Sequence, residues 1–189
     1  MTVKLRRFSL ISKADKEALF ARLKDGYDAP VAGCDTFGEY LDHITEKPGL
    51  WGIQVGDEYA GLFALAPVNG HAHYQTTTVL TPAYRGSGIN APLKRAVAEA
   101  ARDLGLPLAA LIRPYNERSI RAMRRAFPDV APVEMERVVA RGPRAGEMDP
   151  CLFYDLSSIP RGFVECSFIS VYETIALWIR VRTAAYTQA

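Results

Sequence analysis

Cysteine is scarce in this chain. The three residues present, Cys34, Cys151 and Cys166, lie far apart, with no CxxC pair and no histidine beside them at ligand spacing, so neither a disulfide framework nor a zinc site is indicated. Reduced, buried thiols are the expectation. A surplus of one charge is also missing, since 23 Lys and Arg stand against 21 Asp and Glu for a formal net charge of +2. No overall field therefore pulls the protein onto nucleic acid or an anionic membrane, and any polyanion must be met by a local site. The N-terminal stretch MTVKLRRFSLISKADKEAL holds no apolar run of signal-peptide length before charge resumes at Lys13, which leads to the expectation of a soluble, cytoplasmic protein. No internal repeat or low-complexity segment interrupts the 189 residues, and with 49% of them apolar a single domain with a real core is expected.

Periodicity orders what is there. Residues 3–8 alternate apolar with basic side chains and predict a short strand; Ser12 then caps a helix through Leu23, with Leu19, Phe20 and Leu23 on one face, and a second helix covers residues 36–45. Strands at 50–55 and 58–66 meet at the turn Gly56-Asp57, and Asn69-Gly70 marks a tight hairpin into a third strand, residues 71–80. From Ala91 the spacing Leu93, Val97, Ala101, Leu104 is that of a crossover helix ending at Gly105 and Pro107, after which residues 108–112 return as a buried strand parallel to the third. Another helix is predicted at 116–127, then strands at 133–140 and 151–156 around a loop at 142–146. The fold class is α/β (α+β): a mixed, mostly antiparallel sheet flanked by helices over residues 1–158, with an extra helical tail at 159–189. In that tail Phe168, Val171, Tyr172, Ile175, Trp178, Ile179 and Arg182 suit an amphipathic helix lying on the domain or on a second copy in a homodimer, while Glu165 and Glu173 argue against a membrane span.

At the crossing from the third strand to the crossover helix stands YRGSGIN, residues 84–90. A glycine-rich turn feeding a helix N-terminus is a general anion site, because backbone N–H groups point outward and the helix dipole favours negative charge. Arg85 adds a planar fork suited to phosphate. The stretch is neither a P-loop, which needs Gly-Lys-Ser/Thr, nor the dinucleotide fingerprint of a leading parallel strand-helix unit. Instead Arg85-Gly86-Ser87-Gly88-Ile89-Asn90 resembles the Arg/Gln-x-x-Gly-x-Gly/Ala signature of the GNAT superfamily of acetyl-CoA-dependent N-acyltransferases. The frame agrees: Leu80-x-Pro82-x-Tyr84-Arg85-Gly86, then Leu93, then Asn116-x-x-Ser119 opening the next helix with Phe127 at its end, a resemblance running from about Val3 to Leu156.

The resemblance implies a splayed central strand pair, residues 71–80 against 108–112, that admits the pantetheine arm of acetyl-CoA or another acyl-CoA. It implies that the amides of Gly86, Ser87, Gly88, Ile89, Asn90 and Ala91 hold the pyrophosphate, that a backbone N–H near Val79 or Leu80 meets the oxyanion, and that Asn116, with Ser119 on the same helix, touches the arm. Asn90 stands where relatives carry glycine or alanine; it can cap the helix or donate to a phosphate. Relatives commonly have a proton-donating tyrosine seven residues after the motif asparagine, and here that residue is Met123, whose thioether donates nothing. Tyr115 or Tyr84 could supply the proton instead, the thiolate could leave unaided, or the protein could bind an acyl-CoA without turning it over. Met123 also suits core packing with Ile120 and Phe127.

For the base, strand alternation puts His71, His73, Gln75 and Thr77 on one face and Tyr74, Thr76 and Thr78 on the other, and His73 is the residue chosen for deprotonating the amine, with Tyr74, Glu134 and Glu136 as substitutes. The basic run Arg113, Arg118, Arg121, Arg124 and Arg125 could meet the coenzyme's ribose phosphate, an acidic substrate or an RNA, and its lack of stacking aromatics argues against nucleic acid. The reading is an N-acyltransferase, without a metal, moving acetyl or another short acyl group to a small-molecule or peptide amine. The alternative is a catalytically silent acyl-CoA-binding sensor or interaction module of the same fold.

Overall fold

The computed structural model describes residues 2–25, 36–45, 47, 49–68, 71–139, 145–162 and 164–186, with side chains through Arg180. In chain order the elements are β1 (Val3–Arg7), α1 (Lys13–Lys24), α2 (Phe37–Thr45), β2 (Gly49–Val55), β3 (Glu58–Pro67), β4 (Tyr74–Leu80), α3 (Asn90–Asp103), β5 (Leu108–Ile112), α4 (Glu117–Ala126), β6 (Val133–Val138), β7 (Met148–Asp155) and α5 (Ile169–Tyr186). One seven-stranded sheet has the order β1-β2-β3-β4-β5-β7-β6, antiparallel everywhere except at β4–β5. The mixed, mostly antiparallel sheet flanked by helices is therefore present.

β3 explains why the sheet has two covered faces. Its sequence EYAGLFALAP is apolar at both parities and buried along nearly its whole length, the pattern of a strand with helices on each side. Phe63 and Leu65 join Trp51, Ile53 and the buried side of α3 and α5 in one core, while Leu62 and Ala64 join Leu19, Leu23, Tyr40 and Ile44 of α1 and α2 in the other. Gly61 lets β4 lie close, since a Cβ there would collide with the carbonyl oxygen of Val79. The alanine-rich helix α3 is buried on almost every side because β-sheet, α4 and α5 surround it.

The tail is core. Phe168, Val171, Ile175, Trp178 and Ile179 are buried in the same cluster as Val3 and Leu5 of β1. Trp178 meets Trp51 edge-on with centroids 5.5 Å apart and Tyr74 at 6.0 Å, and the Tyr172 hydroxyl donates to Asp103 at 2.9 Å. Among the described residues no helix is long and apolar enough to cross a membrane.

Several boundaries differ from the sequence expectation. β4 begins at Tyr74 rather than at residue 71, because Val68 N–H donates to the His73 carbonyl at 2.9 Å and closes a connection in which both histidines precede the strand. The Asn69-Gly70 turn lies outside the described residues, as do Cys34, residues 140–144 of the last loop and the side chain of Arg182. Asn90 is the first residue of α3 and Ile89 is its cap, so the asparagine does not cap the helix. Of the thiols, Cys151 is buried, but Cys166 is exposed because it opens a surface turn before α5.

Trp178→Ala removes the largest side chain of α5 from this core and is expected to cost about 3–5 kcal/mol of unfolding free energy, read by urea denaturation.

Candidate active site

The β4–β5 ladder is short. Only Tyr74↔Leu108 and Gln75↔Ala109 pair, after which β4 stays with β3 while β5 stays with β7 through Ala110↔Tyr154, Leu111↔Phe153 and Ile112↔Leu152. The strands part into a cleft of about 1080 Å³ with residues 76–80 on one wall and residues 110–113 on the other. Backbone groups that would complete the ladder are left for a guest. Tyr74 and Leu80 pack with the α3-side core and Val79 with the α1-side core, so Thr76 and Thr78 face α3 while Gln75 and Thr77 face α2. The cleft is lined from both sides of the sheet, by residues 86, 88–91 and 94 from the loop and α3 and by Tyr40, His43, Ile44 and Lys47 from α2 and the turn after it.

At the α3 side the loop is built on two glycines with positive φ, Gly86 at +79° and Gly88 at +85°, each with open space where a Cβ would stand. Any side chain would strain that backbone and obstruct approach to the amides behind it. Arg85 lines the cleft and its Nε donates to the Leu80 carbonyl at 3.1 Å, bracing the loop on the end of β4. Ser87 is turned away: its hydroxyl donates to the Tyr84 carbonyl at 2.7 Å, and it does not line the cleft. Asn90 Oδ1 is buried without a hydrogen-bond partner, an arrangement that costs about 1–3 kcal/mol until a donor arrives or the amide turns its NH2 towards an acceptor.

One helical turn beyond Asn90, Lys94 also lines the cleft with only 6% of its surface exposed. Burial alone pulls its ammonium down to about 8. The sequence reading missed this residue, although a lysine between Leu93 and Val97 on a helix face of alanines is a visible irregularity. α4 opens on Asn116, whose Oδ1 accepts from Ser119 N–H at 3.1 Å, leaving the amide NH2 over; both residues line the cleft. Arg118, Arg121 and Arg125 line it too, with Arg121 paired to Glu117 at 3.0 Å, whereas Arg124 does not. Arg113 is no part of an exposed basic face, since it is buried against Asp149, with its Nε donating at 2.9 and 3.1 Å.

The expected catalytic residues separate. His73 does not line the cleft, because β4 enters the sheet at Tyr74 and whatever precedes it lies beyond the closed end of the gap. Its Nε2 is 3.6 Å from Asp155 and its ring stands edge-on to Phe153. Tyr74 packs on Trp178 and Met123 is fully buried on the inner side of α4; neither reaches the cleft, so the position without a proton donor is a core position. Glu134 and Glu136 border a separate hollow beside Pro114 and Cys151. Tyr115 does line the cleft, 63% exposed, as does Tyr84, whose hydroxyl donates to Glu58 at 3.2 Å. Val79, Leu80, Ile89 and Ala91 also line it. His43 was not foreseen; it sits beside buried Ile44 in the last turn of α2. Among the described residues no group of three His, Cys, Asp or Glu is placed to share a metal ion.

A seven-stranded mixed sheet split by a parallel pair, with a glycine loop at the mouth of the split, defines a known class. The sequence profile of the acetyltransferase (GNAT) family matches residues 15–127, and the chain belongs to that family. Solved structures share the fold. An acetyltransferase (GNAT family) from Bacillus anthracis superposes with TM-score 0.61 at 15% identity, covering 82% of this chain and 94% of that one. The protein yncA from Salmonella typhimurium, an acetyltransferase by assignment and solved with its cofactor acetyl-CoA, gives 0.55 at 16% identity over 88% and 99%. Ribosomal-protein-alanine N-acetyltransferase from Brucella melitensis gives 0.55 at 19% identity over 80% and 97%. No match is found among curated proteins.

Lys94 yields a test of the site's electrostatics. The ammonium titrates at about 8 in the folded protein against 10.5 for an unburied lysine, so the unfolded chain holds the proton more tightly. Its burial cost is present in full below pH 8 and is relieved as the pH rises towards 10.5. Lys94→Met should therefore stabilise the ligand-free protein by about 1–3 kcal/mol at neutral pH and by progressively less in alkali, measured by urea unfolding across that range.

Proposed function

We propose that the protein is an N-acyltransferase that moves an acetyl or other short acyl group from coenzyme A to an amine of a small molecule or peptide. The observation that carries this reading is the early end of the β4–β5 ladder, directly below a positive-φ glycine loop that heads α3. When bound, the thioester supplies an activated carbonyl and a thiolate leaving group. The amides of residues 86 and 88–91 at the N-terminus of α3 hold the pyrophosphate, with Arg85 and Lys94 balancing its charge, while the Ser87 N–H stays bonded to the Tyr84 carbonyl. The Asn90 side chain, whose Oδ1 is otherwise without a partner, turns its NH2 to the pyrophosphate. Asn116 and the unpaired edges of residues 76–80 and 110–112 bond the amide arm as an added strand would, with Ser119 beside them. The Leu80 N–H, which points to the gap because the neighbouring Thr81 N–H is bonded to Ala60 of β3, faces the developing oxyanion.

On the opposite wall His43 takes the proton from the amine, since it is the histidine that lines the cleft. Tyr115, at the end of β5, returns a proton to the sulfur. A catalytically silent acyl-CoA-binding module is the second reading, favoured by one observation: Met123, in the position where relatives carry the acid, is sealed in the core.

Calorimetric titration with acetyl-CoA should show binding, and Gly88→Val, which forces a branched residue to a φ of +85°, should abolish it. With an amine panel the protein should release free thiol. His43→Ala should lower that turnover by about a hundredfold or more at unchanged coenzyme affinity, whereas His73→Ala leaves it intact. Binding with no thiol release from any amine supports the silent module, and no binding rejects both readings.

A further inference from the structure

The cleft has a second group of cations, on the α2 side of the sheet. Lys47 follows α2, whose Tyr40 and Ile44 belong to the core opposite α3, so Lys47 and the glycine loop reach one cleft from different faces. Beside Lys47 stands Arg137 of β6, also lining the cleft. Arg137 comes within 3.7 Å of Asp149, but both oxygens of that buried carboxylate already accept from Arg113. One acid thus serves two guanidinium groups, with a third cation close by. Arg137 is only 31% exposed and its Nε is buried with no hydrogen-bond partner, so water does not compensate it fully. Lys47 is half-buried, and its ammonium is held below the ordinary lysine range first by that burial and then by the charge of Arg137. Among the described residues the only carboxylate lining the cleft is Glu117, which lies on α4 and is bonded to Arg121.

Half-buried like charges repel, and such a group persists where a ligand neutralises it. We infer that the acceptor amine carries an anionic group, a carboxylate or a phosphate, seated between Lys47 and Arg137. This rests on the acyltransferase reading above and specifies its substrate class. The coenzyme's phosphates have their cations across the sheet, at Arg85, Lys94 and the arginines of α4. A polycationic acceptor is repelled by the pair, whereas an acidic one is drawn in.

The test is calorimetric titration of the coenzyme A-saturated protein with matched amines: O-phosphoethanolamine against ethanolamine, and β-alanine against propylamine. At least one anionic member should bind at least about tenfold tighter than its neutral twin, and the two pairs distinguish phosphate from carboxylate. In Lys47→Gln/Arg137→Gln, that advantage should fall below about threefold while coenzyme affinity is unchanged. Lys47→Gln alone, altering a turn residue outside the core, carries the test should the double variant not fold; its advantage should drop by about threefold or more. Equal or tighter binding of the neutral twins, no binding of either anionic amine, or a preference that survives these substitutions would overturn the inference. Coenzyme affinity, measured first on the same material, separates the failures: its absence rejects the acyltransferase reading, whereas its presence without a charge preference rejects only this inference.

Discussion

The structure depends on two strands that stop pairing. β4 is anchored on β3, where Gly61 permits a close approach, and β5 is anchored on β7, so each strand has one satisfied edge and is free to diverge on the other. A parallel pair requires a crossover, and α3 provides it, which brings a helix N-terminus to the wide end of the gap. Strand edge, glycine loop and helix dipole thus converge through topology alone. Exposed ladder groups are costly to leave dry, and this gives the gap its affinity for an amide chain.

Much of this was legible in the sequence because its determinants are local. Glycines 86 and 88, Pro82 and the run from Leu93 are contiguous, and their pattern dictates a turn and a helix whatever surrounds them. The alternation from residue 71 onwards was misleading: HAHYQTTTV keeps a strand period through residues that have no ladder partner. Period reports which face a side chain would take, not where pairing begins, and so His73 read as part of the strand. Asn90 misled in a similar way, because asparagine favours caps, whereas the helical backbone at Ile89 moves the cap one residue earlier. The α2 side of the cleft was illegible for a different reason. His43 and Lys47 come from α2 and the turn after it, Arg137 comes from β6 far along the chain, and only the fold brings them to one cleft.

Charge shows the same contrast between bulk and local description. A net charge of +2 suggests no electrostatic preference, yet among the described residues the lining of the cleft sets eight Lys and Arg against one carboxylate. The acids that balance the total are elsewhere, for example at Glu165 on Arg95 and at Asp103 and Glu99 on Arg102, where they tie the tail segment and α3 together. Sorting opposite charges to different parts of a nearly neutral chain produces a focused field without a charged surface.

The tryptophan pair gives the tail an optical signature. Trp51 and Trp178 are the two tryptophans of the chain, and their rings touch across the boundary between the sheet and α5. Intrinsic fluorescence of this protein is thus emitted almost wholly from one junction. Undocking of the final helix would shift that emission to the red even with the remaining strands in place, so the chain carries its own label for a motion confined to a single element.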